Sequence, residues 1–591
     1  MEYKSETKTC QNCKNDFTIE PDDFSFYEKI KVPAPTFCSE CRLIRRLICR
    51  EDRSLYKNKC NNCGKDLISI FFDKNNINVY CSDCWWGDEW DALSYGQDYD
   101  FSRSFFEQLQ DLRKTVPREA IGSKNSTNCQ YSSGNIRCKD CTLNFDGFQS
   151  INCYNCQTPI FSRDSVDSNI IMNADHAYET VNSNSIYNTK FVYFSDDCMD
   201  SSFLFNCIGC YNCFGCVNLR NKKYCIWNKQ YNKEEYEKEI KNWNLNSYEV
   251  LKKSKELFEE FRIRIPRKFA LITNSHNVTG NDIKNTNNSK NCYSVRNGVD
   301  NCKNILTSGL LLKDSHDAIF GGDKSEIFYE TSGGVGSQRC FFSRGQYYSK
   351  DIEYCERVLN CSNLFGCVHL RNKKYCILNK QYTKEEYLEL REKIIKQMND
   401  FPYVDKKGRL YKYGEFFPPE ISLYGYNETW AHKYFPLTKE EALEKGYNWQ
   451  DDLNRNYNIT IHSEKLPDNI KDVDDSILSE VIGCDHLSKN CNQQCSEAFR
   501  ILPNELQFYR QMNLTLPRLC PNCRDYERQK FIEKPRLYKR KCMCQKFGNI
   551  YQNTSKHFHG NEPCSNEFES TISEDRKEIV YCEKCYQSEF I

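Results

Sequence analysis

Apolar residues between about 125 and 380 show almost no helical periodicity. Short β-branched and aromatic segments alternate there with Asn, Asp, Ser and Gly, and similar segments recur at intervals of 10 to 13 residues. The clearest of these segments begin at Cys129, Cys141, Cys153, Cys292, Cys302, Ser315, Ile327, Cys340 and Ile352. Self-similarity of this kind is typical of repeat folds, and short strands with polar turns predict a parallel β-solenoid. Two such segments would make one coil of about 20–25 residues.

The repeated region occurs twice in the chain. The segment FGCVNLRNKKYCIWNKQYNKEEY, which starts at Phe214, returns as FGCVHLRNKKYCILNKQYTKEEY from Phe365, 151 residues later. Each copy ends in a capping-box pattern, with Asn232 and Thr383 as the N-caps, and this predicts the start of a helix. An amphipathic helix can cover the open core and the strand edges at the end of a solenoid. We therefore expect two solenoid halves, each closed by a helical cap.

Four cysteines near the end of the first half have the spacing C-x2-C-x2-C-x2-C, which raises the possibility of an iron–sulfur cluster. They are Cys207, Cys210, Cys213 and Cys216. The equivalent positions of the second half hold Val358, Cys361, Leu364 and Cys367. Since Val and Leu cannot act as ligands, the duplicate favours buried packing for these positions. A cluster confined to the first half is the alternative.

The cysteines at the N-terminal end follow a different rule. The chain has 37 cysteines but no secretory signal, and in a reducing compartment clustered cysteines are more often metal ligands or buried residues than disulfides. Two C-x-x-C pairs separated by some 15 to 25 residues are a strong signal for a tetrahedral zinc site. We predict one ion held by Cys10, Cys13, Cys38 and Cys41, and a second held by Cys60, Cys63, Cys81 and Cys84. A redox C-x-x-C is the alternative, but such a pair normally stands alone.

The C-terminal end repeats this plan at an offset of 482 residues, as from Cys13 to Cys495 and from Tyr56 to Tyr538. It predicts a third ion held by Cys491, Cys495, Cys520 and Cys523, and a fourth held by Cys542, Cys544, Cys582 and Cys585. An insertion before the last pair adds His557, His559 and Cys564, so the ligand set of the fourth ion stays open. The chain would then carry about four Zn²⁺ ions as its cofactors.

Two segments carry a family resemblance. CSEAFRILPNELQFYRQMNLTLPRLCPNCR near the C-terminus and CKNDFTIEPDDFSFYEKIKVPAPTFCSECR near the N-terminus resemble the probable zinc-ribbon, or treble-clef, domains of bacterial proteins. The resemblance covers some sixty residues. It implies a zinc-stabilised fold used for binding, and it implies no reaction.

Positive charge follows the second cysteine pair at both ends, although 82 basic and 82 acidic residues balance over the whole chain. In treble-clef folds a helix follows this pair, and basic side chains on it predict contact with the phosphates of RNA or DNA. The candidate residues are Arg42, Arg45, Arg46, Arg53, Arg524, Arg528, Lys539, Arg540 and Lys541. A solvated helical face is the alternative, because that is the usual role of a charge run.

These patterns predict a multidomain, mainly β chain: a duplicated parallel β-solenoid with helical caps, flanked by two small α+β treble-clef or zinc-ribbon modules. The parts are a double zinc module with an aromatic and acidic tail (1–118), a first solenoid half with its cap helix (119–265), a second half with its cap helix (266–400), an aromatic connector with a short helix (401–475) and a C-terminal double zinc module (476–591).

No apolar N-terminal core resembles a secretory signal, and no apolar run approaches the roughly 20 residues that a membrane span needs. We expect a soluble, cytoplasmic protein with no membrane partner. The predicted function is a zinc-binding, non-enzymatic scaffold for a large partner, with RNA or DNA contacted by the basic helices. A scaffold that binds only protein is the first alternative, and a β-helix enzyme acting on a glycan-like substrate is the second.

Overall fold

The strands of the middle region pair in parallel, and the partner of a residue usually lies 12 or 13 positions further along the chain. Cys213 pairs with Cys225 in the first half, and Cys292 pairs with Ile305 in the second. The expected coil of about 20–25 residues is therefore wrong, because one recurring segment, and not two, separates residues that are neighbours across strands. The strands form a 9-stranded and a 14-stranded sheet, so the chain is mainly β as predicted.

The computed structural model describes residues 3–72, 77–451, 457–487, 491, 494–544, 551–560 and 562–591 of the chain. They divide into two units, each assembled from separate stretches of sequence. The first unit contains Met1–Ile121, Ala270–Asp451 and Lys534–Arg536, and the second contains Gly122–Phe269, Asp452–Glu533 and Leu537–Ile591. The N-terminal cysteine module thus folds with the second half of the middle region, and the C-terminal module folds with the first half.

The first unit contains these strands: Glu6–Thr9, Asp16–Ile19, Tyr56–Lys59, Asp66–Ser69, Val79–Tyr80, Arg118–Glu119, Ile272–Thr273, His276–Lys284, Asn287–Arg296, Lys303–Gly309, Leu312–Lys313, His316–Gly322, Ser325–Val335, Gln338–Phe341, Arg344–Tyr347, Lys350–Glu353, Glu356–Leu359, Ser362–Phe365, Lys374–Ile377, Lys380–Gln381, Tyr403–Val404 and Leu410–Tyr411. Its α-helices are Pro21–Ile30, Ser39–Ile48, Ser82–Trp86, Phe105–Thr115, Lys384–Asp400, Trp430–Tyr434 and Lys439–Glu444.

The second unit contains these strands: Ser123–Lys124, Asn135–Ile136, Ile151–Tyr154, Gln157–Ile160, Arg163–Val166, Asn169–Tyr178, Val181–Tyr193, Ser202–Phe205, Tyr211–Val217, Lys223–Ile226, Lys229–Gln230, Arg267–Lys268, Ile461–His462, Ile482–Gly483, Ala498–Phe499, Tyr538–Lys541, Glu567–Ser570 and Val580–Tyr581. Its α-helices are Lys233–Glu239, Tyr248–Arg264, Pro503–Gln511, Pro521–Gln529 and Glu583–Phe590.

Left-handed backbone recurs at every third residue of the first half, without interruption from Asn125 to Trp227. Asn, Asp and Gly adopt this conformation more readily than other residues, which explains why the region is rich in them. Side chains at these corners also bond across the 12-residue step. Asn188 Nδ2, for example, donates to Asp200 Oδ1 over 2.7 Å. The polar part of the sequence pattern is therefore set by the corners of the backbone.

Small polar side chains fill interior positions and connect successive strands. Ser195 Oγ donates to the Tyr193 carbonyl over 2.9 Å and accepts the Cys207 amide over 3.0 Å. Cys207 continues the column, and its thiol donates to the Cys216 carbonyl over 3.5 Å. Buried hydroxyls and thiols need such partners, and here the backbone supplies them. This accounts for the recurrence of Ser and Cys in the region as packing residues.

A helix follows each copy of the duplicated segment. The helix Lys233–Glu239 begins after Asn232 and the helix Lys384–Asp400 begins after Thr383, both with the predicted capping box. In the second helix, Tyr387, Ile394 and Met398 are buried, as expected of a cap with one apolar face.

The aromatic connector packs within the first unit. Tyr413 lies 6.0 Å from Phe342 and 6.2 Å from Tyr354 between ring centroids, and Phe416 and Phe417 are fully buried. The predicted short helix is present as Lys439–Glu444, capped by Thr438. These contacts give the connector a structural role as a cover over the strands of the second half.

Candidate metal centres

The two N-terminal cysteine groups share one architecture. In each, a β-hairpin carries the first two cysteines in its turn, and the third is the N-cap of a short helix that carries the fourth. In the first group Cys38 caps the helix Ser39–Ile48, and in the second Cys81 caps the helix Ser82–Trp86. In both groups the amide of the capping cysteine donates to the sulfur of the first cysteine, Cys10 or Cys60, over 3.3 Å. The predicted ligands therefore meet in two sets of four.

The sulfur–sulfur distances match tetrahedral coordination. Four sulfurs bound about 2.3 Å from a central zinc ion lie about 3.8 Å from one another. Cys13 and Cys38 are 3.8 Å apart, and so are Cys63 and Cys81. A disulfide would hold the sulfurs about 2.05 Å apart, and none of the 37 cysteines forms one. The geometry thus fits thiolates arranged around an ion.

Backbone amides favour the thiolate form in the second group. Burial raises the pKa of the Cys60 thiol, but the N–H groups of Cys63 and Cys81 outweigh it and bring the pKa to about 6. A thiol with this pKa is ionised at neutral pH, and a thiolate is the form that binds metal.

The third group differs from the prediction in one ligand. Cys484, Cys495, Cys520 and Cys523 lie within 4.8 Å of one another, so Cys484 stands where Cys491 was expected. The amide of Cys520 donates to Cys484 Sγ over 3.3 Å, which is the contact that Cys38 makes with Cys10. Cys491 lies beside this group, with its Sγ 3.6 Å from that of Cys523.

The fourth group brings together all of the residues whose roles the sequence left open. Cys542, Cys544, Cys564 and Cys585 lie within 4.8 Å of one another, and so do Cys544, His557, His559 and Cys585. Cys582 is the N-cap of the helix Glu583–Phe590, and its amide donates to Cys542 Sγ over 3.3 Å. Cys564 Sγ lies 3.9 Å from Cys582 Sγ, as Cys63 does from Cys81 at 3.8 Å.

The arginines predicted to contact nucleic acid in the first module are buried in ion pairs. Arg42 bonds Asp317 over 2.8 Å, Arg45 bonds Glu330 over 2.9 Å, and Arg46 reaches both of these carboxylates. Burial opposes ionisation of Asp317, but Arg42 and Arg46 outweigh it and lower the pKa of its carboxyl group. These guanidinium groups neutralise carboxylates inside the first unit, so no phosphate can reach them.

The second unit repeats this arrangement. Arg524 and Arg528, at the offset of 482 residues from Arg42 and Arg46, bond Asp167 over 2.6 and 3.2 Å. All three side chains are buried. The expectation that these helices present arginine to nucleic acid is therefore corrected for both modules, because buried carboxylates of the strands occupy the guanidinium groups.

The remaining predicted contacts are scattered. Arg540 is buried and donates to the Ile572 carbonyl over 2.9 Å, whereas its neighbours Lys539 and Lys541 are exposed. Lys541 also lies 3.1 Å from Glu567, and Arg53 is half-buried. No continuous basic surface is formed by the nine predicted residues, all of which lie in the described part of the chain.

An exposed column of apolar side chains runs along one face of the second unit. Tyr187 pairs with Met199, and Met199 pairs with Tyr211, each 12 residues further on. The three side chains are 48%, 43% and 39% exposed. Sequence reasoning did not find this column, because it becomes visible only once the 12-residue register is known.

The same column is polar in the first unit. The residues 151 positions later are Gln338, Lys350 and Ser362, and they pair in the same way across the strands. Since one half keeps its strand pairing with polar side chains here, the fold does not require Tyr187, Met199 and Tyr211 to be apolar.

Comparisons with known proteins identify no family. No family model matches the chain, and no curated protein matches it. Among solved structures, it is similar to a "putative acetyltransferase from Desulfovibrio desulfuricans G20", at 11% identity over 49% of this chain and 75% of that chain, with a TM-score of 0.09. A score this low carries no argument about fold or function. Within the described residues, no helix has the length and hydropathy to cross a membrane.

Proposed function

We propose that this protein is a non-enzymatic scaffold in which zinc-bound modules stabilise two β-solenoid halves, and that it binds a protein partner along the exposed apolar column. The observation that carries the proposal is the contrast between Tyr187, Met199 and Tyr211 and the polar residues at the same positions of the other half. Exposed apolar residues that the fold does not need are best explained by binding.

Zinc is the metal that fits the cysteine groups. Closed sets of four thiolates in tetrahedral arrangement are typical of structural Zn²⁺ sites, which have no open position for a substrate. The first three groups have this form, and their sulfur–sulfur distances of 3.8 to 3.9 Å agree with it. Reduced thiols in such numbers also fit a cytoplasmic location.

A solenoid with four short sides per coil accounts for the backbone pattern. The left-handed corners recur every third residue, and strand partners in the first half are 12 residues apart. Four corners therefore separate each residue from its partner, and the strands stack in parallel. Such a coil is narrow, which suits the interior Ser and Cys.

A protein partner fits the column better than nucleic acid does. Tyr and Met are enriched at protein interfaces, where they bury large areas at low cost in conformational entropy. Nucleic acid would require exposed cations, and the buried arginines of both modules do not supply them. An enzyme acting on glycans would require converging carboxylates, yet Asp317 is already paired with Arg42 and Arg46.

The test exchanges the column for its polar counterpart. The triple variant Tyr187→Gln, Met199→Lys, Tyr211→Ser carries the residues of the other half, so it should fold and keep its metal. Proteins cross-linked to the full-length wild type in extracts of the native cell are identified, and the strongest candidate is purified. Its affinity should fall at least tenfold for the triple variant, because central aromatic contacts dominate interface energies.

The matched control changes Gln338, Lys350 and Ser362 to alanine, and it should bind the purified candidate as the wild type does. If the triple variant binds that candidate as tightly as wild type, the column is not the interface. An electrophoretic shift of mixed RNA and DNA that weakens steeply with salt and persists in the triple variant would favour the nucleic-acid alternative instead.

A further inference from the structure

The fourth cysteine group contains more metal-binding side chains than one tetrahedral ion can use. Five sulfurs and two imidazoles lie together there, from Cys542, Cys544, Cys564, Cys582, Cys585, His557 and His559. A structural zinc ion takes four ligands. The surplus has no counterpart in the second group, to which the fourth is otherwise equivalent.

Equivalence with the second group assigns the ligands of one ion. The contacts between Cys542 and Cys582 and between Cys564 and Cys582 repeat those of Cys60 and Cys63 with Cys81. Cys585 stands in the first turn of the helix, as Cys84 does. The first ion therefore belongs to Cys542, Cys564, Cys582 and Cys585, and Cys544 and both histidines are left over.

The two histidines direct lone pairs at the remaining sulfurs. His559 Nδ1 lies 2.7 Å from the Glu562 carbonyl, so it donates there and leaves Nε2 as an acceptor. That Nε2 lies 3.3 Å from Cys544 Sγ and 3.4 Å from Cys585 Sγ. A nitrogen and a sulfur bound to the same tetrahedral zinc ion lie about 3.6 Å apart, close to these distances.

His557 shows the same orientation in a more buried position. Its Nε2 lies 3.0 Å from Glu589 Oε1, and its side chain is 1% exposed. The other ring nitrogen, Nδ1, is buried without a hydrogen-bond partner. Metal-bound histidines almost always donate their second ring N–H to a carboxylate or a carbonyl. A buried imidazole held by Glu589, with its free nitrogen in a cluster of thiols, has the arrangement of a ligand.

We propose that the C-terminal module binds a second zinc ion in this group, held by Cys544, His557 and His559, and that it shares the thiolate of Cys585 with the first ion. A thiolate sulfur has lone pairs enough to bind two ions at once. Cys544 Sγ and Cys585 Sγ are 3.5 Å apart, a separation that allows both to bind one ion. This inference rests on the proposed function for the first ion alone.

Charge also favours the second ion. Four thiolates around one Zn²⁺ leave two net negative charges, and a fifth thiolate in contact with them would be repelled strongly in a partly buried site. A second Zn²⁺ bound by Cys544 and two neutral imidazoles lowers the net charge of the cluster to one negative charge. The ion therefore allows Cys544 to ionise where it lies.

The experiment compares metal content in full-length proteins. Wild type and the double variant Cys544→Ser, His559→Ala are purified under reducing conditions with zinc, freed of loosely bound metal, and analysed by mass spectrometry. The wild type should hold about five ions and the double variant about four. The matched control Cys129→Ser, His276→Ala removes one Cys and one His outside the terminal groups and should equal the wild type.

Cobalt substitution gives a second readout that does not depend on how the variant folds. Two Co²⁺ ions that share a thiolate couple magnetically, so the EPR intensity per bound cobalt should be lower in the wild type than in the double variant. Equal zinc content in both proteins, or full EPR intensity per cobalt in the wild type, would overturn the proposal. A wild type with about four ions whose column variants still lose their partner would refute this inference alone.

Discussion

At the scale of single residues, buried ion pairs hold the cysteine modules to the strands of each unit. Asp167 accepts Arg524 and Arg528, and Asp317 accepts Arg42 and Arg46. Buried charges are expensive to desolvate, so their value lies in specificity: a misplaced module would leave them unpaired. Carboxylates at these two positions therefore select the register in which each module docks.

We predict that Asp167→Asn lowers the free energy of unfolding by about 3–5 kcal/mol, because it leaves two buried guanidinium groups without their counter-charge. Asn keeps the shape of the side chain and tolerates the left-handed backbone at this position, where φ is 53°. Denaturant unfolding measures the change. The control Asp164→Asn, at the preceding corner, should cost less than about 1 kcal/mol, because its carboxylate pairs with no buried arginine. Equal effects of the two variants would contradict this account.

His316 makes the first unit sensitive to mild acid. Burial lowers the pKa of its imidazole to about 4, against the opposing effect of Asp317 and Asp23. Below its ordinary pKa of about 6.5 the unfolded chain binds a proton there and the folded chain does not, so stability falls as pH falls.

We expect the wild type to lose about 2 kcal/mol of unfolding free energy through His316 between pH 7 and pH 5. In His316→Asn this part of the pH dependence should disappear, although the variant also loses the stacking on Phe26, at 3.8 Å between centroids. Chemical denaturation at pH 7, 6 and 5 compares the slopes. Parallel slopes for the two proteins would show that His316 is not the titrating group.

At the scale of elements, local rules were enough for the cysteine hairpins and not for their exceptions. Cys10 and Cys13 belong to one turn, so their spacing alone predicted the site. Cys484 and Cys495 are separated by a longer insertion, and no local rule connects them. The arginines fail for the same reason: Arg42 looks solvated in the sequence, while its partner Asp317 lies 275 residues away.

The ligand set of the third group can be tested directly. Cys484→Ser should lose one zinc ion per chain, since its sulfur accepts the amide of Cys520 in the position that Cys10 has in the first group. Cys491→Ser should keep the full metal content. Metal analysis of the two variants side by side decides between the observed and the predicted ligand, and loss of the ion in Cys491→Ser alone would restore the sequence-based assignment.

The solenoid interior offers a test of packing against metal binding. The repeat itself could be predicted from its recurring segments, but the length of its coil could not, because left-handed corners at every third residue leave no simple apolar period. We expect Cys207→Val, which copies the Val358 of the other half, to change the unfolding free energy by less than about 1.5 kcal/mol. Stoichiometric iron in the wild type that disappears in this variant would support the cluster instead.

At the scale of the whole molecule, the metal sites and the strands should respond differently to chelation. Removing zinc takes away the interactions that organise the small modules, whereas the solenoid strands keep their backbone hydrogen bonds. We predict that a strong chelator lowers Tm and directs limited proteolysis to residues 1–118 and 476–591, with the middle protected. Fragments identified by mass spectrometry would show this, and uniform cleavage along the chain would contradict it.

The interleaved connectivity of the two units sets the order in which they can be completed during synthesis. The first unit needs residues from Met1 to Asp451, apart from the short piece Lys534–Arg536, and the second needs residues from Gly122 to Ile591. The N-terminal module must therefore wait on the ribosome while the whole first solenoid half emerges between it and its own partner. At about 5–20 residues per second this delay lasts many seconds, and the ion pairs of the wrong half are the first that the waiting arginines meet. Selecting between Asp167 and Asp317 is thus a kinetic problem that every newly made chain has to solve.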